Sequence, residues 1–96
     1  MSVPVLFIRS RAIDADDREW LEPVQICCAF DCPTTLLLLG DAAASAAAAA
    51  PRLEELHDLG IVAVLAAGAP DTALVAGIEP TAVRDVIDRH VRILHL

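Results

Sequence analysis

Thr34-Thr35-Leu36-Leu37-Leu38-Leu39 is a short run in which apolar residues follow one another without alternation. A strand with one face in water alternates apolar and polar residues, so a strand that is apolar throughout must be covered on both faces. Three more runs of this kind, at 3–8, 61–65 and 91–94, are spaced by helix-like segments. The sequence therefore predicts an α/β three-layer sandwich, flavodoxin-like, with a mostly parallel sheet of four to five strands.

Size and charge limit the classes of function. The 96 residues predict a single domain over 1–96, and 56% of them are apolar, which is more than one small core is expected to hide. We therefore expect protein partners or a homo-oligomer. The net charge is −7 and the seven basic residues, all arginine, form no stripe, so direct binding to nucleic acid or to an anionic membrane is not expected.

No apolar stretch is as long as the roughly 18–20 residues that span a bilayer, and the first residues lack the charged segment of a signal peptide. These features predict a cytoplasmic protein. Cys27, Cys28 and Cys32 are odd in number and crowded together, which does not resemble a disulfide framework.

The first helix is predicted from about Asp16 to Phe30, with Asp14 or Asp16 as its N-cap. Because Pro23 lies inside this span, the helix either starts near Glu22 or is kinked there. An apolar stripe at three- and four-residue steps is expected to face the sheet. It consists of Trp20, Val24, Cys27 and Cys28.

Residues 42–50 have high helix propensity but almost no side-chain bulk, so this helix either packs very closely on the sheet or frays, and Asp41 is a plausible cap. After Pro51 a new helix is predicted from Arg52 to Leu59, with Gly60 as its C-cap. Its inner side is predicted to consist of Leu53, Leu56 and Leu59.

The segment after the third strand is open to two readings. Asp71 caps a single helical turn, or Thr72–Ala76 is a short fourth strand, which we favour.

The last helix opens at Pro80, and the closing strand Val91–Leu94 carries Arg92 between apolar neighbours, which is typical of an edge strand. The inner side of the last helix is predicted to be Val83, Val86 and Ile87.

Cys32 is the only candidate for a reactive thiol. Cys28 and Cys32 are four residues apart and would share a face of a continued helix. A helix C-terminus disfavours thiolate, so Cys27 and Cys28 are interpreted as buried packing residues. Cys32 lies in a loop before Pro33.

Metal and cofactor sites are not expected. The three histidines, His57, His90 and His95, lie on elements without cysteine, and no pair of Cys-x-x-Cys motifs exists. The glycines Gly60, Gly68 and Gly77 are isolated and form no phosphate-binding loop.

The acidic loop 14–17 loosely resembles the pocket of phosphoacceptor receiver domains. That pocket needs a further Asp at the end of the third strand and a late Lys. Here the third strand ends in Ala66-Ala67 and the chain has no Lys. Helix capping explains these carboxylates.

Three segments carry a resemblance to a known family: Val-Leu-Phe-Ile at 5–8, Leu-Leu-Leu-Leu-Gly-Asp-Ala at 36–42 and Leu-Glu-Glu-Leu-His-Asp-Leu-Gly-Ile at 53–61. Together they resemble the DsrE/DsrF/DsrH (TusBCD-type) sulfur-relay proteins over nearly the full length. The ending Asp-Arg-His-Val-Arg-Ile-Leu at 88–94 is most similar to the DsrF/TusC branch.

The resemblance implies a five-stranded flavodoxin-like sheet, assembly into hetero-oligomers and a role in passing persulfide sulfur, toward tRNA thiolation or in sulfur oxidation. In the active subunit of that family the acceptor Cys follows the third strand. The matching stretch here, Ala66-Ala67-Gly68-Ala69-Pro70, has no Cys. We therefore expect no autonomous sulfurtransferase activity.

The leading hypothesis is a non-catalytic subunit or interaction module of a sulfur-relay complex. Two alternatives remain open. The first is a persulfide carrier that uses Cys32, and the second is an unrelated small regulatory or binding α/β domain.

Overall fold

The computed structural model describes residues 3–14 and 18–96. The strands are β1 Val5–Arg9, β2 Thr34–Leu38, β3 Ala63–Ala67, β4 Ala76–Ile78 and β5 Arg92–His95. The α-helices are α1 Glu22–Ala29, α2 Gly40–Ala44, α3 Ala50–Asp58 and α4 Val83–Asp88. Short 3-10 turns at Glu19–Leu21, Ala46–Ala49 and Pro80–Ala82 precede α1, α3 and α4.

The five strands form one parallel sheet in the order β4-β3-β2-β1-β5. In the centre of the sheet Phe7 lies beside Leu36, and every residue of β1 and β2 is buried. The predicted flavodoxin-like α/β sandwich with a parallel sheet is confirmed. The physical reason is the one given above, since unbroken apolar strands need cover on both faces.

Helices α1, α2 and α3 cover one face, where Phe7, Leu36 and Val64 point into the larger core. Helix α4 covers the other face, where Leu6, Ile8 and Leu37 are buried against it. Because this second layer has a single six-residue helix, β3 alternates between buried residues toward α1–α3 and half-buried residues toward α4.

The start of α1 differs from the long helix predicted. The helix begins at Glu22, so the alternative of a late start is the correct one, with Pro23 in the first turn. Arg18 and Leu21 occupy the N-cap positions of the 3-10 turn and of α1, so the cap predicted at Asp14 is wrong. The other proposed cap, Asp16, lies outside the described residues. Trp20, Val24 and Cys28 are buried as the stripe predicts, whereas Cys27 is half-buried.

The alanine-rich segment is divided rather than continuous. Helix α2 ends at Ala44, and Ser45 separates it from the 3-10 turn. Ser45 Oγ accepts a hydrogen bond from Ile13 N–H at 2.8 Å and donates one to the Asp41 carbonyl at 2.7 Å. Asp41 lies inside the first turn instead of at the N-cap, which is Leu39. Ala42 and Ala49 are completely buried, so the segment packs closely, which is the first of the two alternatives given above.

Several predicted strand boundaries are displaced, most clearly that of β3. It begins at Ala63 rather than Ile61 because Gly60, with a φ of 90°, ends α3 and the Ile61 N–H still bonds to the Leu56 carbonyl. Helix α3 itself ends at Asp58, so Leu59 is its exposed C-cap and not an inner residue.

The fourth strand exists, but at Ala76–Ile78 instead of Thr72–Ala76. Residues 71–75 form a turn in which Thr72 Oγ1 accepts hydrogen bonds from the N–H groups of Leu74 and Val75, at 3.2 and 3.0 Å. The closing strand β5 is an edge strand as predicted, although it covers Arg92–His95.

Candidate functional site

Two features of the fold could bind another molecule, and they lie at opposite ends of the sheet. Loops after the strands surround an apolar cavity at the carboxyl end. The segments before the strands surround a groove with two thiols at the amino end.

The cavity has a volume of about 400 Å³, within the range of small-molecule sites. It lies between the alanine-rich segment and the loop that follows β3. Its lining is almost entirely aliphatic. The lining residues are Ala43, Ala44, Ala46, Ala47, Ala50, Leu53, Ala69, Pro70, Thr72, Ala73, Leu74 and Val75.

The loop that forms one wall of this cavity is held by polar contacts. Asp71 Oδ1 accepts a hydrogen bond from Gly77 N–H at 2.6 Å, and His57 Nε2 lies 2.7 Å from the Leu74 carbonyl oxygen. A Cβ at Gly77 would collide with the Ala69 carbonyl. The loop therefore lies directly on β4, and the cavity wall is fixed by backbone packing.

Arg9 is a residue whose role the sequence did not indicate. It is only 5% exposed at the carboxyl end of β1, and its guanidinium lies 5.0 Å from the Trp20 ring centre. Arg9 Nε and Nη2 donate to the carbonyls of Arg11 and Ala12, at 3.2 and 3.1 Å. Arg9 thus fastens the loop that follows β1. The position of Arg9 at the end of an otherwise apolar strand is the sequence feature that could have predicted this role.

The groove at the amino end lies beside β5, on which Arg92 and Leu94 are exposed. It has a volume of about 560 Å³ and contains both Cys27 and Cys32. The lining residues are Val3, Val5, Cys27, Cys32, Val91, Arg92, Ile93 and Leu94. Cys32, the thiol candidate from the sequence, is therefore accessible from this groove.

The partner of Cys32 is Cys27 and not Cys28. Helix α1 stops at Ala29, so the shared face predicted for Cys28 and Cys32 does not form. The Cys32 N–H bonds to the Cys27 carbonyl at 3.0 Å, and both side chains line the same groove. The Cys32 thiol also lies 3.8 Å from the Val3 carbonyl oxygen.

Burial raises the pKa of the Cys27 thiol, and the neighbouring Cys32 raises it further. Burial also raises the pKa of Cys28, against the opposing effect of a hydrogen bond with Thr34. Cys28 is 5% exposed and packs in the core, as predicted. These two thiols are poor nucleophiles at neutral pH.

The histidines remain apart from the thiols. His57 lies on α3, His90 Nδ1 is 2.8 Å from the Val86 carbonyl at the end of α4, and His95 ends β5. Within residues 3–14 and 18–96, no group of three His, Cys, Asp or Glu side chains is arranged to hold a metal ion. Of the acidic loop, Ala15, Asp16 and Asp17 lie outside the described residues.

The amino end of the sheet is also rich in exposed apolar side chains. Val3, Val62 and Val91 precede β1, β3 and β5, and all three are exposed, Val91 by 89%. Leu94 on β5 is half-exposed and lines one groove with Val3 and Val91. We call Val3, Val62, Val91 and Leu94 the amino-end patch.

In the described part of the chain, no helix is both long and apolar enough to cross a membrane.

Comparison with known proteins gives no assignment. No family model matches the sequence, and no curated protein or solved structure matches it at a significant level.

Proposed function

We propose that this protein is an interaction subunit of a sulfur-relay type of assembly, in the cytoplasm, that binds a partner protein through the amino-end patch. One observation carries the proposal: the valines before β1, β3 and β5 are all exposed at the amino end of the sheet, and Val3 and Val91 line one groove there. Clustered apolar surface of this kind is typical of protein–protein interfaces. The net charge of −7 favours a partner with a basic rim and disfavours nucleic acid or an anionic membrane.

The sulfur-relay part of the proposal rests on the resemblance in the sequence and on the place of the thiols. Residues 66–70 have no Cys, so sulfur held at the corresponding position would have to come from a partner subunit. We propose that this chain supplies surface in the assembly and has no sulfurtransferase activity of its own.

The test uses light scattering after size-exclusion chromatography. The chain is measured alone and after co-expression with any small α/β protein that is encoded beside it. We expect a complex that V62D/V91D abolishes, because two buried carboxylates would oppose the interface. The control I26D adds charge at an exposed site on the outer side of α1 and should leave the complex intact. A strict monomer under all conditions would contradict the proposal.

A carrier role for Cys32 is the second candidate, favoured by its position in an open groove. Intact mass after incubation with a persulfide donor tests it. A gain of one sulfur atom that C32S removes supports the carrier, and an unchanged mass supports the interaction subunit.

A small-molecule-binding domain is the third candidate, favoured by the apolar cavity at the carboxyl end. An uncharged apolar probe such as an alkyl-substituted naphthalene dye should then bind. The variant A47W would fill the cavity and abolish this binding without changing the amino-end patch.

A further inference from the structure

Helix α1 ends in a Schellman motif, and this motif determines which two cysteines meet. Asp31 adopts a φ of 58°, its N–H bonds to the Cys28 carbonyl at 3.1 Å, and the Cys32 N–H bonds to the Cys27 carbonyl at 3.0 Å. In this motif two side chains pack on each other. One lies three residues before the C-cap, and the other belongs to the residue that follows the one in the left-handed conformation. Those two positions are Cys27 and Cys32, where this motif frequently has an apolar pair.

Both thiols border one groove and can be reached from solvent. Their main chains are hydrogen-bonded to each other, each side chain is half-buried, and both line the groove beside β5. Cys28 differs, because it points into the core beneath α1 and is 5% exposed. The backbone hydrogen bond between Cys27 and Cys32 holds their main chains together, so a bond between the two sulfur atoms needs little backbone movement.

We propose that Cys27 and Cys32 are a redox-active pair that forms a reversible intramolecular disulfide by exchange with a low-molecular-weight disulfide. The Cys32 thiolate attacks one sulfur of the reagent, the reagent's S–S bond breaks, and one thiolate leaves. The Cys27 thiolate then attacks Cys32 Sγ and displaces the second. The two protein thiols are oxidised by two electrons, and the reagent is reduced to two thiols that take up the two protons.

The order of attack follows from the surroundings of the two thiols. Burial and the neighbouring thiol raise the pKa of Cys27, so it is the weaker first nucleophile. Once Cys32 is in a mixed disulfide, Cys27 is already beside it and reacts within the molecule. The mixed disulfide should therefore be short-lived in the native protein.

The pair also lies in the groove next to Val91 and Leu94. If the amino-end patch binds a partner, which rests on the proposed function, oxidation would change the surface presented to that partner. Formation of the disulfide does not depend on this role, because it takes place in the isolated chain.

The test treats the reduced full chain with glutathione at graded ratios of oxidised to reduced form, then alkylates free thiols and measures intact mass. We expect a species that has lost two hydrogen atoms, has one alkylated thiol and carries no glutathione. Chymotryptic cleavage after Phe30 should leave its two cysteine-containing fragments joined until a reductant is added. The control C28A should form the same disulfide and have no thiol left to alkylate, which assigns the bond to Cys27.

The variant C27S should instead accumulate one stable glutathione adduct on Cys32. Three alkylated thiols at every ratio, a persistent adduct on the native chain, a dimer linked by disulfide, or loss of the bond in folded C28A would each overturn the proposal. The native-chain measurement decides the question even if a variant fails to fold. Failure of partner binding in the light-scattering experiment is a separate result and leaves the disulfide measurement unaffected.

Discussion

At the scale of single residues, buried polar contacts and close approaches stabilise the loops at the carboxyl end of the sheet. Arg9 is the clearest case, since one buried guanidinium stacks on Trp20 and donates to two loop carbonyls. Lysine cannot supply this planar set of donors. We expect R9K to lower the free energy of unfolding by about 1–3 kcal/mol.

Denaturant unfolding followed by the fluorescence of the single tryptophan measures this loss. The control R11K changes an exposed arginine and should stay within about 0.5 kcal/mol of the native chain. Equal losses in the two variants would contradict the role given to Arg9.

Gly77 provides a second prediction at this scale. A methyl group there would collide with the carbonyl of Ala69, so G77A must displace the loop from β4. We expect a loss of about 1–3 kcal/mol and weaker binding of an apolar dye in the cavity. The control A76S alters an exposed neighbour on the same strand and should change neither. Native-like stability of G77A would show that the loop can move away without cost.

At the scale of elements, the alanine-rich segment packs on the sheet by the smallness of its side chains. Ala42 is completely buried in α2, whereas Ala48 in the following 3-10 turn is exposed. A42L should therefore lower the free energy of unfolding by about 1–3 kcal/mol through overpacking, while A48L should leave it within about 0.5 kcal/mol. Thermal unfolding of both variants measures the difference. Two equally stable proteins would mean that the segment is not closely packed.

The elements also show what the sequence alone could predict. Unbroken apolar strands predicted a parallel sheet covered on both faces, because burial of every side chain allows few other arrangements. The ends of elements were harder to predict. After the left-handed Gly60 the Ile61 N–H still bonds to the Leu56 carbonyl of α3, so β3 begins two residues later than predicted. The thiol pair depends on the left-handed conformation of Asp31. Asp tolerates that conformation more readily than most residues, which was the available signal.

At the scale of the whole molecule, composition makes the thiols the only side chains that titrate in moderately alkaline solution. The chain has no Lys and no Tyr, so between about pH 9 and 11 the cysteines are the only side chains that lose protons. The pKa values of Cys27 and Cys28 are raised in the folded protein, chiefly by burial. The unfolded chain therefore loses its thiol protons first, and stability is present in full below about pH 8.5 and falls as pH rises.

Unfolding under reducing conditions across this pH range measures the effect. For the buried Cys28 the slope is at most about 1.4 kcal/mol per pH unit. C28A should make the profile flatter, because it removes one of the two thiols whose pKa is raised in the folded protein. A pH-independent stability in the native chain would contradict the folded-state pKa directions given above.

The pairing of β5 with β1 has a consequence for how the chain is made. Residues 92–95 complete the sheet by lying beside 5–8, so this edge of β1 stays unpaired until a segment more than 80 residues further along the chain has been synthesised. Until then Leu6 and Ile8 belong to an open strand edge, and open apolar edges template aggregation. A nascent chain halted before Arg92 should consequently depend on a chaperone that shields this edge, and shortening it by these few residues should yield inclusion bodies rather than a smaller folded protein.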